Sequence, residues 1–309
     1  MKDNQEGTSV KIADYDDAIQ GTKLKMVLRG DVLCTFGIPV LRRCLQSESD
    51  WISIDEIGFL EENCEPFKDA IRDLFDHKQV LAVVRKQDLP FLNELRNRPD
   101  VFLLDLDQPF GNSGCVIMAS GLGKRFGGNK LMEDFQGEPM IQRALNATAG
   151  LFSHRVVVTR HESVAALCRQ QNVDVVLHDL PHRSDTVRLG LEAIGDVERC
   201  MFCPGDQPLL SKETIASLLL SAVSNPEFVW RPCCDGAPGA PVLFPRWAFP
   251  ELAALPEGKG GGVVIKRHPE KCQMQPISDP WELIDADTPE FLAQLRQHAL
   301  NRSGKEDQQ

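Results

Sequence analysis

The stretch "IMASGLGKRFGGNK", Ile117 to Lys130, decides how this chain folds. It holds four glycines, two lysines and one arginine in fourteen residues, directly behind an apolar run that begins at Cys115. Small residues let backbone N–H groups approach phosphate oxygens, and the cations add charge. The dinucleotide fingerprint G-x-G-x-x-G needs a third glycine where Phe126 stands. The P-loop G-x-x-x-x-G-K-[ST], tried from Gly123 to Gly128, meets Asn129 in place of its lysine, with no Ser or Thr after it. Both fail on spacing, and spacing carries the mechanism. What fits is a strand, a small-residue turn, G-x-G-x-R-[FM]-G and then a lysine, running from Ala119 to Gly127 and on to Lys130.

Around this loop the sequence alternates. Cys115–Ala119, His154–Thr159, Val173–Leu177, Cys200–Cys203, Phe228–Arg231 and Pro241–Phe244 read as strands. Helical spacing occupies Pro139–Ala149, Glu162–Gln171, Asp185–Ile194, Lys212–Ala222 and Thr288–Gln297. Strands separated by helices imply βαβ units: an α/β, Rossmann-like, mostly parallel sheet covered on both faces. Ligands of such sheets bind at the carboxyl ends of the strands. Upstream, Trp51–Ile54, Val80–Val84 and Val101–Leu106 read as strands, and Pro66–His77 and Phe91–Arg96 as helices. The turn-rich "DQPFGNSG", Asp107 to Gly114, separates the two halves. The expected organisation is a smaller α/β domain over 1–110, a larger one over 113–300 and a frayed tail over 301–309.

A chain of 309 residues, 42% hydrophobic and 26% charged, has room for two cores. Its net charge of -11 excludes a sequence-independent grip on nucleic acid or an anionic membrane. A small anionic substrate held by local cations stays compatible with it. No apolar run approaches the ~18 residues of a membrane helix. The polar, acidic opening "MKDNQEGTSVKIADYDD" is neither a signal nor a transit peptide, and the ten cysteines read as reduced thiols, so a cytoplasmic protein is expected. Cys200-x-x-Cys203 and Cys233-Cys234 read as buried thiols rather than a zinc site. His182 and His268 read as solvated loop residues, and Trp230 and Trp247 as core or interface.

The loop from Ala119 to Lys130 resembles the signature L-A-A-G-x-G-x-R-[FM]-G-x-x-K of nucleotidyltransferases related to the molybdenum cofactor enzymes. Three later segments resemble the same family in the same order. "CPGDQPLLS", Cys203–Ser211, puts Asp206 just past a strand, where the family binds Mg²⁺. Carboxylate and phosphate oxygens suit that cation; capping of the following helix is the alternative for Asp206. "GAPGAPVLF", Gly236–Phe244, resembles the acceptor-side stretch and contributes Gly239 and Pro241, with Ala240 where relatives often carry His or Asn. "LIDADTPEFLAQL", Leu283–Leu295, resembles the family's ending, with Asp285 as a second metal-facing carboxylate. Asp287, followed by Thr288 and Pro289, reads instead as the start of the last helix. "HRSDTVRLGL", His182–Leu191, matches the base-proximal segment loosely, which leaves Ser184 as a base contact or a helix cap.

The resemblance implies transfer of a nucleotidyl group from an NTP to an acceptor phosphate, with release of pyrophosphate. Ala119, Ser120, Gly121, Leu122 and Gly123, with Arg125, would bind the nucleotide's phosphates, and Lys130 would sit on the α-phosphate. Mg²⁺ would rest on Asp206 and Asp285. Arg125, Lys130 and Asp206 are the catalytic candidates. Ser120 at the deciding place of the loop, with "DQP" and "PVLF" downstream, leans to CTP and a molybdopterin-type acceptor. The alternatives are a guanylyltransferase, a sugar- or alcohol-phosphate nucleotidyltransferase, and a non-enzymatic cofactor chaperone. A molybdenum hydroxylase as recipient and a second copy in a homo-oligomer are the macromolecular partners considered.

"WISIDEIGFLEENCEPFKDAI" and "VLAVVRKQDLPFLNELRNRPDVFLLDLD" resemble the back half of a small P-loop nucleoside-triphosphatase family. Asp55-Glu56 matches its Walker B end, and Arg85 its basic position after a strand. No G-x-x-x-x-G-K-[ST] precedes them, so a degenerate docking or dimerisation domain without ATPase activity is expected.

Overall fold

The structure is a computed structural model that describes residues 1–4, 6–15, 26–123 and 125–306. The chain divides into two units, Met1–Leu103 and Leu104–Gln309, a few residues before the expected boundary.

In the first unit, two strands pair in parallel: β1 (Trp51–Ile57) and β2 (Gln79–Val84). Helices α1 (Ile38–Gln46), α2 (Glu65–His77) and α3 (Pro90–Arg96) pack on them. α2 and α3 begin with proline in the first turn, where the missing N–H costs nothing. Ile52, Ile57, Phe67, Ile71, Leu74, Phe91 and Leu95 form the core. Strand alternation turns Trp51, Leu81 and Val83 the other way, and all three are exposed. The expected strand Val101–Leu106 does not form. Val101–Asp105 has no regular structure, and Phe102, Leu103 and Leu106 lie exposed. Apolar character alone does not make a strand; its backbone needs a ladder partner, and none is found for it among the described residues.

The second unit is the expected α/β sheet. It contains β3 (Ser113–Ala119), α4 (Met140–Thr148), β4 (His154–Thr159), α5 (Glu162–Gln170), β5 (Asp174–Leu177) and α6 (Arg183–Ile194). It continues through β6 (Arg199–Pro204), α7 (Lys212–Ser224), β7 (Val229–Cys234), β8 (Ala237–Pro238) and β9 (Val242–Pro245). Two short helices, α8 (Phe249–Ala253) and α9 (Gly262–Arg267), then β10 (Cys272–Pro276) and α10 (Pro289–Glu306) complete it. The eight strands run in the order β5-β4-β3-β6-β9-β7-β8, with β10 also paired to β7. β5, β4, β3 and β6 are mutually parallel, and β9 turns antiparallel. The last helix reaches Glu306, and the rest of the expected tail, 307–309, lies outside the described residues.

Both faces are covered, as the continuous apolar strands require. Ile117, Val157, Met201, Cys203 and Leu243 face α4, α5, α7 and α10. Val116, Val156, Val158, Phe202 and Phe244 face α6, α8 and α9. Cys200 and Cys203 are buried thiols within these layers, and burial pushes the Cys200 thiol well up.

Candidate active site

After β3 the chain moves outward to β4 and β5, then crosses back to place β6 on the other side of β3. Their two carboxyl-end loops diverge at that reversal and open a crevice. The loop after β3 is the glycine stretch, and the loop after β6 carries Asp206. A third segment joins them: the Ala286 N–H donates to the Asp206 carbonyl at 2.9 Å.

Gly123 has φ +58, and a Cβ there would meet the Gly128 carbonyl oxygen at 2.0 Å. Only glycine fits. The Phe126 and Gly127 N–H groups both donate back to the Gly123 carbonyl at 2.9 Å, closing a tight turn. At the loop's start, outward-directed groups are tied to the neighbouring strand. Thr159 Oγ1 donates to the Ala119 carbonyl (2.9 Å), Ser120 Oγ donates to the Val158 carbonyl (3.0 Å), and His161 Nε2 donates to the Gly121 carbonyl (2.8 Å). Leu122 and Arg125 project into solvent.

The charged centre forms where the three segments meet. Lys130 Nζ lies 2.7 Å from Asp206 and 3.0 Å from Asp287, with only 10% of its side chain exposed. Arg125 reaches Asp287 at 2.7 Å. Asp206, Asp285 and Asp287 each offer a carboxylate oxygen within 4.8 Å of the others. Asp285 accepts a hydrogen bond from Gln207 Nε2 at 2.9 Å, while the buried Gln207 Oε1 has no partner among the described residues. Burial opposes the Lys130 charge, yet Asp206 and Asp287 outweigh it and raise its pKa. Asp285 stays accessible as a residue, but desolvation of its carboxyl and the adjacent Asp206 charge push its pKa up. Three crowded carboxylates and one ammonium form an oxygen-rich set suited to a hard divalent cation.

The alternative for Asp206 falls away, and the reading of Asp287 changes. Asp206 does not cap the following helix: Ser211 Oγ accepts the Thr214 N–H at 3.0 Å and does so instead. Asp287 is not merely a helix start. Thr288 Oγ1 takes the Phe291 N–H (3.3 Å), which leaves Asp287 facing Lys130 and Arg125. The loop signature includes neither of the histidines beside it, His161 and His178; His178 stands four residues before His182, but both lie outside any helix. His268, read as solvated, is half-buried and bonds Glu251 at 2.7 Å.

Ser184, Gly239 and Pro241 take no part in the charged cluster. Ser184 is buried in the first turn of α6, whose capping is done by Asp185, accepting the His182 N–H at 3.0 Å. A Cβ on Gly239 would fall 2.7 Å from Leu283 Cδ1, and the Gly239 carbonyl accepts two hydrogen bonds from Arg231, at 2.7 and 3.0 Å. Pro241 is buried beside Ala240. Ala240 lines a cavity of about 590 Å³ between α6, α9 and the sheet, floored by Phe202 and Phe244 and bordered by Arg183, Arg231, Lys259 and Lys266. Among the described residues, no acidic one lines it.

Residues 115–272 match the MobA-like NTP transferase domain. The chain belongs to the MobA-like NTP transferase family. Residues 6–110 match a separate NTPase family. The nucleoside-triphosphatase THEP1 of Thermotoga sp. is 37% identical over 78 residues, covering 25% of this chain and 44% of that one. The 3-deoxy-manno-octulosonate cytidylyltransferase of Helicobacter pylori is 36% identical over 106 residues, covering 33% of this chain and 42% of that one. The chain thus spans less than half the length of these curated relatives. A nucleotidyl transferase from Methanothermobacter thermautotroptrophicus shares the fold at TM-score 0.53 and 20% identity, over 62% of this chain and 98% of that one. No helix among the described residues is long and apolar enough to cross a membrane.

Proposed function

We propose that this protein transfers a cytidylyl group from CTP to the phosphate of a molybdopterin-type acceptor and releases pyrophosphate. The observation that carries this reading is the contact of Lys130 with Asp206 and Asp287 beside the glycine loop, at the point where the strand order reverses. Ser120 in the loop and the likeness to a cytidylyltransferase favour CTP over GTP. The basic-rimmed cavity beside Gly239 and Pro241 suits a phosphorylated acceptor with an apolar body.

An acceptor phosphate oxygen attacks the α-phosphorus, the bond to the β-phosphate oxygen breaks, and pyrophosphate leaves. The nucleophile is already ionised, so no general base is needed; the protein positions the reactants and neutralises moving charge. Backbone N–H groups from Ser120 to Gly123, with Arg125, hold the β and γ phosphates. Lys130, fixed by its carboxylate partners, meets the α-phosphate. Asp206 and Asp285, with Asp287, would hold Mg²⁺, which when bound supplies charge compensation between the phosphates. The test is pyrophosphate release from each of the four NTPs with molybdopterin as acceptor. CTP-dependent release is expected. Release with GTP instead would make it a guanylyltransferase, and NTP binding without release would make it a cofactor carrier.

A further inference from the structure

The glycine loop is held from behind by a web of side chains that the transfer reaction does not itself employ. Ser120 Oγ gives its single proton to the Val158 carbonyl, an oxygen that can only accept. The His178 Nε2 2.8 Å from that hydroxyl must therefore be the donor. On the other side of the ring, Nδ1 accepts the Leu180 N–H at 3.2 Å. The two contacts fix one neutral tautomer. The His178 backbone N–H donates to the Thr159 carbonyl (3.0 Å), and Arg160 Nη2 donates to the Leu180 carbonyl, so the turn after β5 is bound to the end of β4 on both flanks.

We propose that His178 is a positioning residue for the nucleotide loop. As neutral imidazole it holds Ser120 outward, so that the loop's N–H groups point at the phosphates. When it gains a proton, Nδ1 becomes a donor aimed at the Leu180 N–H, the turn opens and nucleotide binding weakens. The charged groups around it are Arg160 at the end of β4, Asp179 beside it, and Asp185 in the first turn of α6. Desolvation and Arg160 together outweigh the two aspartates and hold its pKa below the ordinary 6.5. His178 thus stays neutral at neutral pH and charges only on acidification. The inference rests on the loop binding an NTP.

The experiment titrates CTP with Mg²⁺ into the full-length protein by calorimetry across the acid range, and measures kcat and KM alongside. His178→Phe is expected to weaken CTP binding about tenfold at neutral pH, the scale of one lost hydrogen bond, with kcat little changed. His178→Gln keeps an N–H for Ser120 but cannot titrate. It is expected to bind CTP as the wild type does at neutral pH, and to weaken less than the wild type in acid. An unchanged acid weakening in His178→Gln would overturn the proposal, and that variant decides the matter should His178→Phe fail to fold. Wild-type affinity in a folded His178→Phe would also overturn it. A wild type that binds no nucleotide at all would overturn this proposal and the transferase reading together.

Discussion

The two units begin from the same element, a parallel pair of strands, and end in different states. In the larger unit β3 has parallel neighbours on both sides and helices on both faces, and its carboxyl end opens into a charged crevice. In the smaller unit β1 and β2 pair only with each other among the described residues, and one face shows Trp51, Leu81 and Val83 to solvent. Asp55 and Glu56 sit near the end of β1 much as Asp206 follows β6, but Glu56 spends its charge on exposed Arg85 at 2.7 Å. A strand-end carboxylate therefore means little alone. It becomes chemistry when a glycine turn and a buried cation stand opposite it.

That contrast can be broken most easily at its centre. Asp206→Asn is expected to lower the pyrophosphate-release rate on the order of 10³-fold, while Asp55→Asn leaves it unchanged; equal losses would erase the distinction. Lys130→Ala follows at ~10²-fold or more. It also leaves three carboxylates without their ammonium, so added Mg²⁺ should raise its melting temperature more than that of the wild type in a thermal melt. A smaller effect belongs to Asp285. Its raised pKa means that ionising it disfavours the folded state, so its contribution is full below the ordinary 3.8 and is lost as pH rises through the raised value. Metal-free Asp285→Asn should melt above the wild type at neutral pH, with the gap closing in acid. Smallest of all, Leu81→Asp on the open face of β2 should change urea stability by less than ~0.5 kcal/mol. A large loss would show that something covers that face.

Much of this was legible beforehand, for identifiable reasons. The alternation of apolar runs with helical spacing set the sheet, since buried parallel strands advertise themselves as unbroken β-branched segments such as Val156–Val158. The glycine loop was legible because Gly123 and Arg125 are fixed by spacing along one turn. Asp287 was not, since Asp-Thr-Pro reads locally as a helix start, and its other use shows only through Arg125 and Lys130, the latter 157 residues away. His161 and His178 escaped for the same reason: each meets the loop through a strand end distant in sequence. Val101–Leu106 misled, because composition promised a strand and the fold supplied no neighbour for it. Strand β10 and helices α8 and α9 passed unmarked in a stretch crowded with proline, glycine and lysine.

The hydrogen bond from Ala286 to Asp206, with the ion pair from Lys130 to Asp287, ties the centre to the run just before the final helix. On a ribosome, the glycine turn and Asp206 emerge well before that run does. The growing chain can assemble most of its sheet, yet the other two carboxylates, Asp285 and Asp287, follow Asp206 only after about 80 further residues. A nascent or prematurely terminated chain ending before Asp285 would therefore carry the glycine turn and Asp206 with an unfinished reaction centre and one face of its sheet short of a helix.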